Sequence, residues 1–409
     1  DQVAISNGRL QREWTEGDRH YFHYQMNRPM PLAYIFTSGE YGVQRDRWED
    51  IELEVYYHPD HAYNIDRILA GMKASLEYCS QHFSPYQFDH LRMVEFSQIN
   101  GATAHGFPGT IPAGEGAGFI AKIDDTDDTE NDYAFGTTVH EVAHQWWGNQ
   151  VIPADTRGAK MIVESLAEYV NVMVKKHYKN ETQSLLFVKE NLEGYLSYRS
   201  RLRRAESPLS LSYPKENYLH YPKGAVALHS LANYIGEDTL NHMIKTYVDK
   251  VAFQTETYTT SLELIEMLKA QTPDSLRYLL HDWFETVTLY DNQVVDWTSE
   301  KLADGQHEIK VDFLISKYRL NEAGEKYFSD NGRDSLSHQH MELLHSLPLR
   351  DYIEIGVYDE KEELIFLDKK LIQQIDNQLV IKTKTAPKAV VIDPHYLLAD
   401  TDLRNNRRE

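Results

Sequence analysis

Two histidines four residues apart, His140 and His144, bracket a glutamate, Glu141, in the stretch "TTVHEVAHQWWGN". On an α-helix residues i and i+4 stack on one face, so both imidazoles can address one ion, with Glu141 about 100° round the axis. A catalytic zinc takes three protein ligands and keeps a fourth position for water, and His-Glu-x-x-His supplies two ligands and a carboxylate beside that water. Val139, Val142, Ala143, Trp146 and Trp147 make this segment apolar nearly all round, as in a buried helix, and buried histidines need partners. Gly148 is a plausible stop for the helix.

The third ligand has to come from elsewhere in the chain. Glu164 in "MIVESLAEY" stands among Met161, Val163, Leu166 and Ala167, and a carboxylate in apolar company is costly unless paired or bound to metal. It is the natural third ligand. Glu168, one turn on, competes for the place, or orients an imidazole from behind, or lies on a solvated helix face.

The elements that must position these residues follow from the patterning. The first sixty residues alternate aromatic and polar side chains ("RHYFHYQM", "IELEVYYH") between turn-like clusters, which predicts strands. Apolar positions at helical spacing from Asn64 to His82 predict a helix, and "HLRMVEF" a strand. Six glycines from Ser97 to Gly118 predict a loop or irregular edge where backbone passes close to something. Asp132 to about Glu285 reads as mainly helical, including "AKMIVESLAEYVNVMVKKHY" and "YPKGAVALHSLANYIG". From about Asn292, "HEIKVDFLISKY", "DYIEIGVYD", "LIFLDKK", "LVIKTK" and "KAVVIDP" are short alternating runs of a β-sandwich.

Composition narrows the function classes. The chain has 409 residues, too many for one hydrophobic core, and 41% hydrophobic with 26% charged residues is a globular balance. Forty-two basic against 63 acidic residues give a net charge of -21, which repels phosphate backbones, so no nucleic acid is expected as a partner. No apolar run approaches the ~20 residues of a membrane helix. The single cysteine, Cys79, excludes an intrachain disulfide and reads as a small core residue. A chain starting at Asp1 without a signal segment is expected to be a processed form or a piece of something longer.

With these residues in view, "HEVAHQWWGN" followed by "ESLAEY" resembles the aminopeptidase N and leukotriene hydrolase family of zinc metallopeptidases, the gluzincins. Their pattern is His-Glu-x-x-His-x-Trp-x-Gly-Asn, then Asn-Glu-Gly-x-x-x-Tyr. The resemblance implies one zinc per chain on His140, His144 and Glu164, with Glu141 as the base. It also shows two departures. Nineteen residues rather than eighteen separate His144 from Glu164, which an insertion in "IPADTRG" would absorb, and Val163 and Ser165 flank the glutamate. "YPKG" resembles the family's Tyr-x-Lys-Gly, which implies that Tyr221 donates to the oxyanion. "PAGEGAGFI" occupies the place of the family's Gly-x-Met-Glu-Asn motif, which implies that Glu115, with Gly114 and Gly116, holds the substrate's free amino terminus.

The fold this implies is a multidomain α+β chain. A thermolysin-like, mainly helical catalytic domain with a small β-sheet spans 61–291, flanked by the end of an N-terminal β-domain over 1–60 and a C-terminal β-sandwich over 292–409. The function implied is that of a zinc-dependent aminopeptidase acting on peptides with a free amino terminus. An endopeptidase, an epoxide hydrolase-like enzyme and a non-catalytic peptidase-fold module serving a transporter are the alternatives. The combination of "HEVAHQWWG", "VIPA" and "ESLAEY" is similar to members carried on a larger permease-like membrane chain, which implies the extramembrane part of a bacterial membrane protein.

Overall fold

The computed structural model describes residues 2–98, 104–124, 126–127, 130–202, 205–321, 323–328 and 347–409. The fold is a mixed, multidomain assembly of helices and sheets, and the chain divides into two compact units, 1–190 with 212–273 and 191–211 with 274–409.

In the first unit the amino-terminal strands β1 (Val3–Ser6), β2 (Arg9–Glu16), β3 (Arg19–Gln25) and β4 (Phe36–Gly39) form two small antiparallel pairs, β1 with β4 and β2 with β3. Strands β5 (Gly42–Trp48), β6 (Ile51–Tyr57), β7 (His90–Phe96) and β8 (Thr110–Gly114) make a four-stranded sheet in that order. β5 runs antiparallel to β6, while β6, β7 and β8 run parallel. The parallel step from β6 to β7 needs a crossover, and α1 (Ile65–His82) supplies it. β7 is buried along nearly its whole length, as expected of a strand covered on both faces, and Cys79 on α1 is a buried core residue.

β8 corrects the expectation of a loop across the glycine-rich stretch. Thr110–Gly114 is a regular strand at the sheet edge, where Pro112 costs no ladder bond, while residues 99–103 of that stretch lie outside the described residues.

The helices follow: α2 (Tyr133–Ala143), α3 (Leu166–Tyr178), α4 (Glu181–Arg199), α5 (Gly224–Ile235), α6 (Glu237–Val251) and α7 (Ser261–Gln271). Two segments expected to be plain α-helix are π turns, Met161–Ser165 leading into α3 and Leu219–Lys223 leading into α5. The helix of the histidine pair is also shorter than its apolar pattern suggests. It ends at Ala143, with His144 as the C-terminal cap in helical conformation, and Gly148, at φ +109°, turns the chain away.

The second unit holds α8 (Arg277–Leu280) and strands β9 (Val287–Tyr290), β10 (Gln293–Lys301), β11 (His307–Leu314), β12 (Lys317–Leu320), β13 (Lys326–Phe328), β14 (Asp351–Tyr358), β15 (Leu364–Ile372), β16 (Asp376–Thr383), β17 (Ala389–Ile392) and β18 (Arg407–Arg408). The sheets β10-β11-β16 and β15-β14-β17-β18 share one core, in which Ile309, Val311 and Phe313 of one sheet and Ile353, Ile355 and Val357 of the other are buried. Alternate inward residues from two sheets meeting in one core are the mark of a sandwich.

Candidate metal centre

α2 starts where Asp132 caps it, its carboxylate accepting from the Phe135 N–H at 3.0 Å, and Arg67 and Lys179 hold that carboxylate at 2.8 and 3.0 Å. The helix is buried, and its far end brings His140 Nε2 within 3.1 Å of His144 Nε2. Glu164 Oε2 completes the convergence, 3.5 Å from His140 Nε2 and 3.3 Å from His144 Nε2.

The outward ring nitrogens are held as well. His144 Nδ1 lies 3.0 Å from the Trp147 carbonyl, which fixes its proton on Nδ1 and leaves Nε2 as a lone pair facing inward. His140 Nδ1 faces Glu168 Oε1 at 3.3 Å, so Glu168 stands behind an imidazole rather than on a solvated face. Burial opposes charge on His140, yet Glu168, Glu164 and Glu141 outweigh it and raise the imidazole well above its ordinary range. Burial likewise opposes charge on Glu164, but the two histidines hold its carboxyl far below the usual range.

These residues fit a divalent cation. Glu164 Oε2 and Glu141 Oε2 are both buried without a hydrogen-bond partner, two acceptors that a cation and its water would satisfy. Two imidazole nitrogens and a carboxylate are a donor set suited to zinc, and donor atoms of His140, His144 and Glu141 lie within 4.8 Å of one another. Lys160 holds the other oxygen of Glu164 at 2.8 Å.

Glu164 and Tyr221 both sit on π turns, and these turns are packed together. Ser165 Oγ donates to the His220 carbonyl at 2.7 Å, and Gly224 is there because a Cβ would lie 2.1 Å from that Oγ. A π turn holds one more residue than an α turn, so Met161–Ser165 offers room for the extra residue between His144 and Glu164 at the carboxylate itself, not only in "IPADTRG". The Tyr221 ring stacks on His140, centroids 5.7 Å apart at 25°. Burial, followed by the neighbouring Glu164, pushes the phenol far above its ordinary pKa, so it stays protonated as a donor.

A cavity of about 350 Å³ opens over this cluster, lined among others by Ala104, His140, Glu141, Glu168, Lys175 and Tyr221. Glu115 is not among its lining residues. The structure gathers Glu115 with His61 and Glu95, and Gly116 donates to the Gln98 carbonyl at 3.2 Å, while Gly114 ends β8. Among the described residues, the backbone at Gly106 comes close against the end of the histidine helix. A Cβ on Gly106 would lie 2.4 Å from His144 Cβ, Asn149 donates to the Gly106 carbonyl at 2.9 Å, and Gln145 donates to that of Phe107 at 2.9 Å. Ala104, Gly106, Asn171 and Lys175 are the site residues that patterning alone passes over. Only Gly106 carried a signal, as one more glycine in the same stretch.

The Peptidase family M1 domain is matched by residues 69–283, more than half of the chain. Endoplasmic reticulum aminopeptidase 1 of Rattus norvegicus is 24% identical over 271 residues, covering 62% of this chain and 28% of that protein. Tricorn protease-interacting factor F2 of Thermoplasma volcanium is 23% identical over 263 residues, 62% of this chain and 32% of that protein. The chain thus spans about a third or less of the length of these relatives. Among solved structures, aminopeptidase A of Legionella pneumophila in complex with aspartic acid superposes with a TM-score of 0.62 at 14% identity, over 97% of this chain and 42% of that one. The M1 zinc metallopeptidase of Deinococcus radiodurans gives 0.53 at 16% identity, over 69% and 60%. At these identities the structural likeness speaks for the fold.

Proposed function

The chain belongs to peptidase family M1, and we propose on that footing that it removes amino-terminal residues from peptides, using one zinc ion held by His140, His144 and Glu164. The observation that carries the proposal is the convergence of two Nε2 atoms and one carboxylate oxygen within 3.1–3.5 Å of one another, beside the unpartnered Oε2 of Glu141. Zinc bound there would supply Lewis acidity toward water and the scissile carbonyl.

The protein's own groups do the rest. Glu141 takes the proton from the attacking water as its oxygen bonds to the carbonyl carbon, and returns that proton to the nitrogen as the C–N bond breaks. Tyr221, protonated and stacked on His140, donates to the oxygen on which negative charge develops. Glu168 holds the His140 ring so that Nε2 points toward His144 Nε2 and Glu164 Oε2, the atoms that would share the ion. The requirement for a free amine is supported by the relatives that are aminopeptidases, since Glu115 lies outside the cavity lining.

Metal analysis of the purified chain, run with hydrolysis of amino-acid anilides and their amino-blocked counterparts, tests this reading. One zinc per chain and cleavage of unblocked anilides alone are expected, with Glu141→Gln retaining the zinc and losing turnover. Cleavage of blocked substrates overturns the aminopeptidase assignment, and full activity in Glu141→Gln overturns the mechanism.

A part of the proposal concerns the wider chain. "HEVAHQWWG", "VIPA" and "ESLAEY" support its being carried, outside the bilayer, by a bacterial permease-like membrane protein. Among the described residues no helix is long and apolar enough to cross a membrane. Fractionation of native cells with an antibody to this segment tests it, membrane association being the expected result.

A further inference from the structure

Lys175 is a cation in the catalytic cavity that the proposed chemistry leaves unused. Its side chain is completely buried and lines the cavity with His140, Glu141 and Tyr221. The ammonium donates to two neutral oxygens, Asn131 Oδ1 at 2.7 Å and the Asp132 carbonyl at 3.3 Å, and lies 5.4 Å from the Phe187 ring centroid. Among the described residues no carboxylate is within ion-pair distance of it. Of the carboxylates that act on it from farther off, Asp132, Glu190 and Glu168, the first is engaged by Arg67 and Lys179 and the second by Asn131.

Burying a charge without a counter-charge is costly. Burial lowers the Lys175 pKa to about 8, with Asp132 opposing, so the group is still mainly an ammonium at neutral pH. One turn back on α3, Asn171 lines the same cavity, its Oδ1 buried without a hydrogen-bond partner. Gly136 on α2 leaves room for the ammonium, for a Cβ there would come within 3.1 Å of Nζ. Glu168 also lines the cavity, but its carboxylate is turned to His140 at the metal end.

We propose that this end of the cavity binds a carboxylate of the substrate, with Lys175 as its cation. Gly136 precedes His140 by about one helical turn, roughly 6 Å along the axis, and an extended residue spans about 3.5 Å. The carboxylate therefore belongs to a residue flanking the scissile bond. It is the terminal carboxylate of a dipeptide or the side chain of an aspartate or glutamate. The inference deepens the peptidase reading of this cavity and rests on it for the nature of the ligand.

Calorimetric binding to the zinc-loaded full chain carrying Glu141→Gln, with and without Lys175→Met, tests the proposal without depending on turnover. The probes are Ala-Ala, Ala-Ala amide, Ala-Glu amide and Ala-Gln amide. A carboxylate-bearing peptide is expected to bind at least about tenfold tighter than its neutral counterpart, and Lys175→Met to abolish that preference while leaving the neutral peptides nearly unchanged. Preference for Ala-Ala over its amide assigns the terminal carboxylate, and preference for Ala-Glu amide over Ala-Gln amide assigns the side chain. Lys175→Gln, compared by thermal unfolding, guards against a variant that fails to fold. Equal binding of all four peptides, absence of binding by any, or a preference that survives both substitutions overturns the inference. Loss of hydrolysis by the unmodified chain with the preference intact counts against the aminopeptidase reading alone.

Discussion

Ser165 donates its hydroxyl to the main-chain carbonyl of His220 at 2.7 Å, and this one bond joins the turn that carries Glu164 to the turn that carries Tyr221. A proposed metal ligand and a proposed oxyanion donor thereby sit on two π turns packed against each other. Such turns cost stability relative to plain α-helix and recur where a side chain must be aimed. Gly224 keeps the contact close, because any Cβ there would fall 2.1 Å from Ser165 Oγ and 2.5 Å from its Cβ.

Gly224→Ala is expected to push the turns apart, costing about 1–3 kcal/mol as an overpacked core position and weakening zinc binding together with turnover. Ser165→Gly in the same chain removes both obstructing atoms, leaving Cα at 3.1 Å, and is expected to recover much of the zinc affinity. Thermal unfolding and zinc titration of the single and double variants check this. Normal zinc binding and normal turnover in Gly224→Ala would mean that the two turns are not coupled.

Tyr221→Phe removes only the hydroxyl and leaves the ring that stacks on His140. If that hydroxyl acts where charge develops, kcat is expected to fall by about 10²–10³ with KM nearly unchanged. Steady-state kinetics on an unblocked anilide decide the matter, and a rise in KM at constant kcat contradicts the role.

The legible part of this site is the part set by spacing within one helix. His140, Glu141 and His144 declare themselves because i and i+4 share a face, and Glu164 because it is a carboxylate among apolar neighbours. The β-sandwich strands are legible from alternation alone. What depends on chain segments meeting is not. An apolar pattern looks alike on an α turn and a π turn, so the geometry that aims Glu164 and Tyr221 leaves no trace in it. Six glycines mark a close approach without saying which one makes it, and the structure assigns it to Gly106 against His144 rather than to the neighbours of Glu115. Lys175 reads as a basic residue in the last turn of a helix, and only the packing of α2 on α3 buries it.

Glu168→Gln and Glu141→Gln are expected to separate two jobs done by neighbouring carboxylates. Glu168 faces the outer nitrogen of His140, so its loss should weaken zinc binding by about 10–100-fold. Glu141 is proposed to move protons rather than to hold the ion, so its amide should leave zinc affinity within a small factor of the parent. Competition with a chromogenic chelator measures both. Equal losses in the two variants would return Glu141 to the ligand set and leave the base unassigned.

His90 sets an acid limit on the first unit that has nothing to do with the metal. It is buried on β7 with Nε2 against Gly109 and Nδ1 3.0 Å from Asp89, and burial, helped by Arg92, lowers its pKa from 6.5 to about 4. The fold therefore holds the neutral ring, whereas the unfolded chain takes up a proton as pH falls through 6.5. The stability associated with the neutral ring is complete above that pH, is lost progressively below it, and is fully lost only below about pH 4. At pH 5 the loss is about 2 kcal/mol, by the usual 1.36 kcal/mol per unit of pKa difference. His90→Gln is expected to narrow the gap in urea midpoint between pH 7 and pH 5. Because zinc release at low pH affects both chains alike, the difference between them isolates His90. Parallel loss of stability in the two chains would show that other groups set the acid limit.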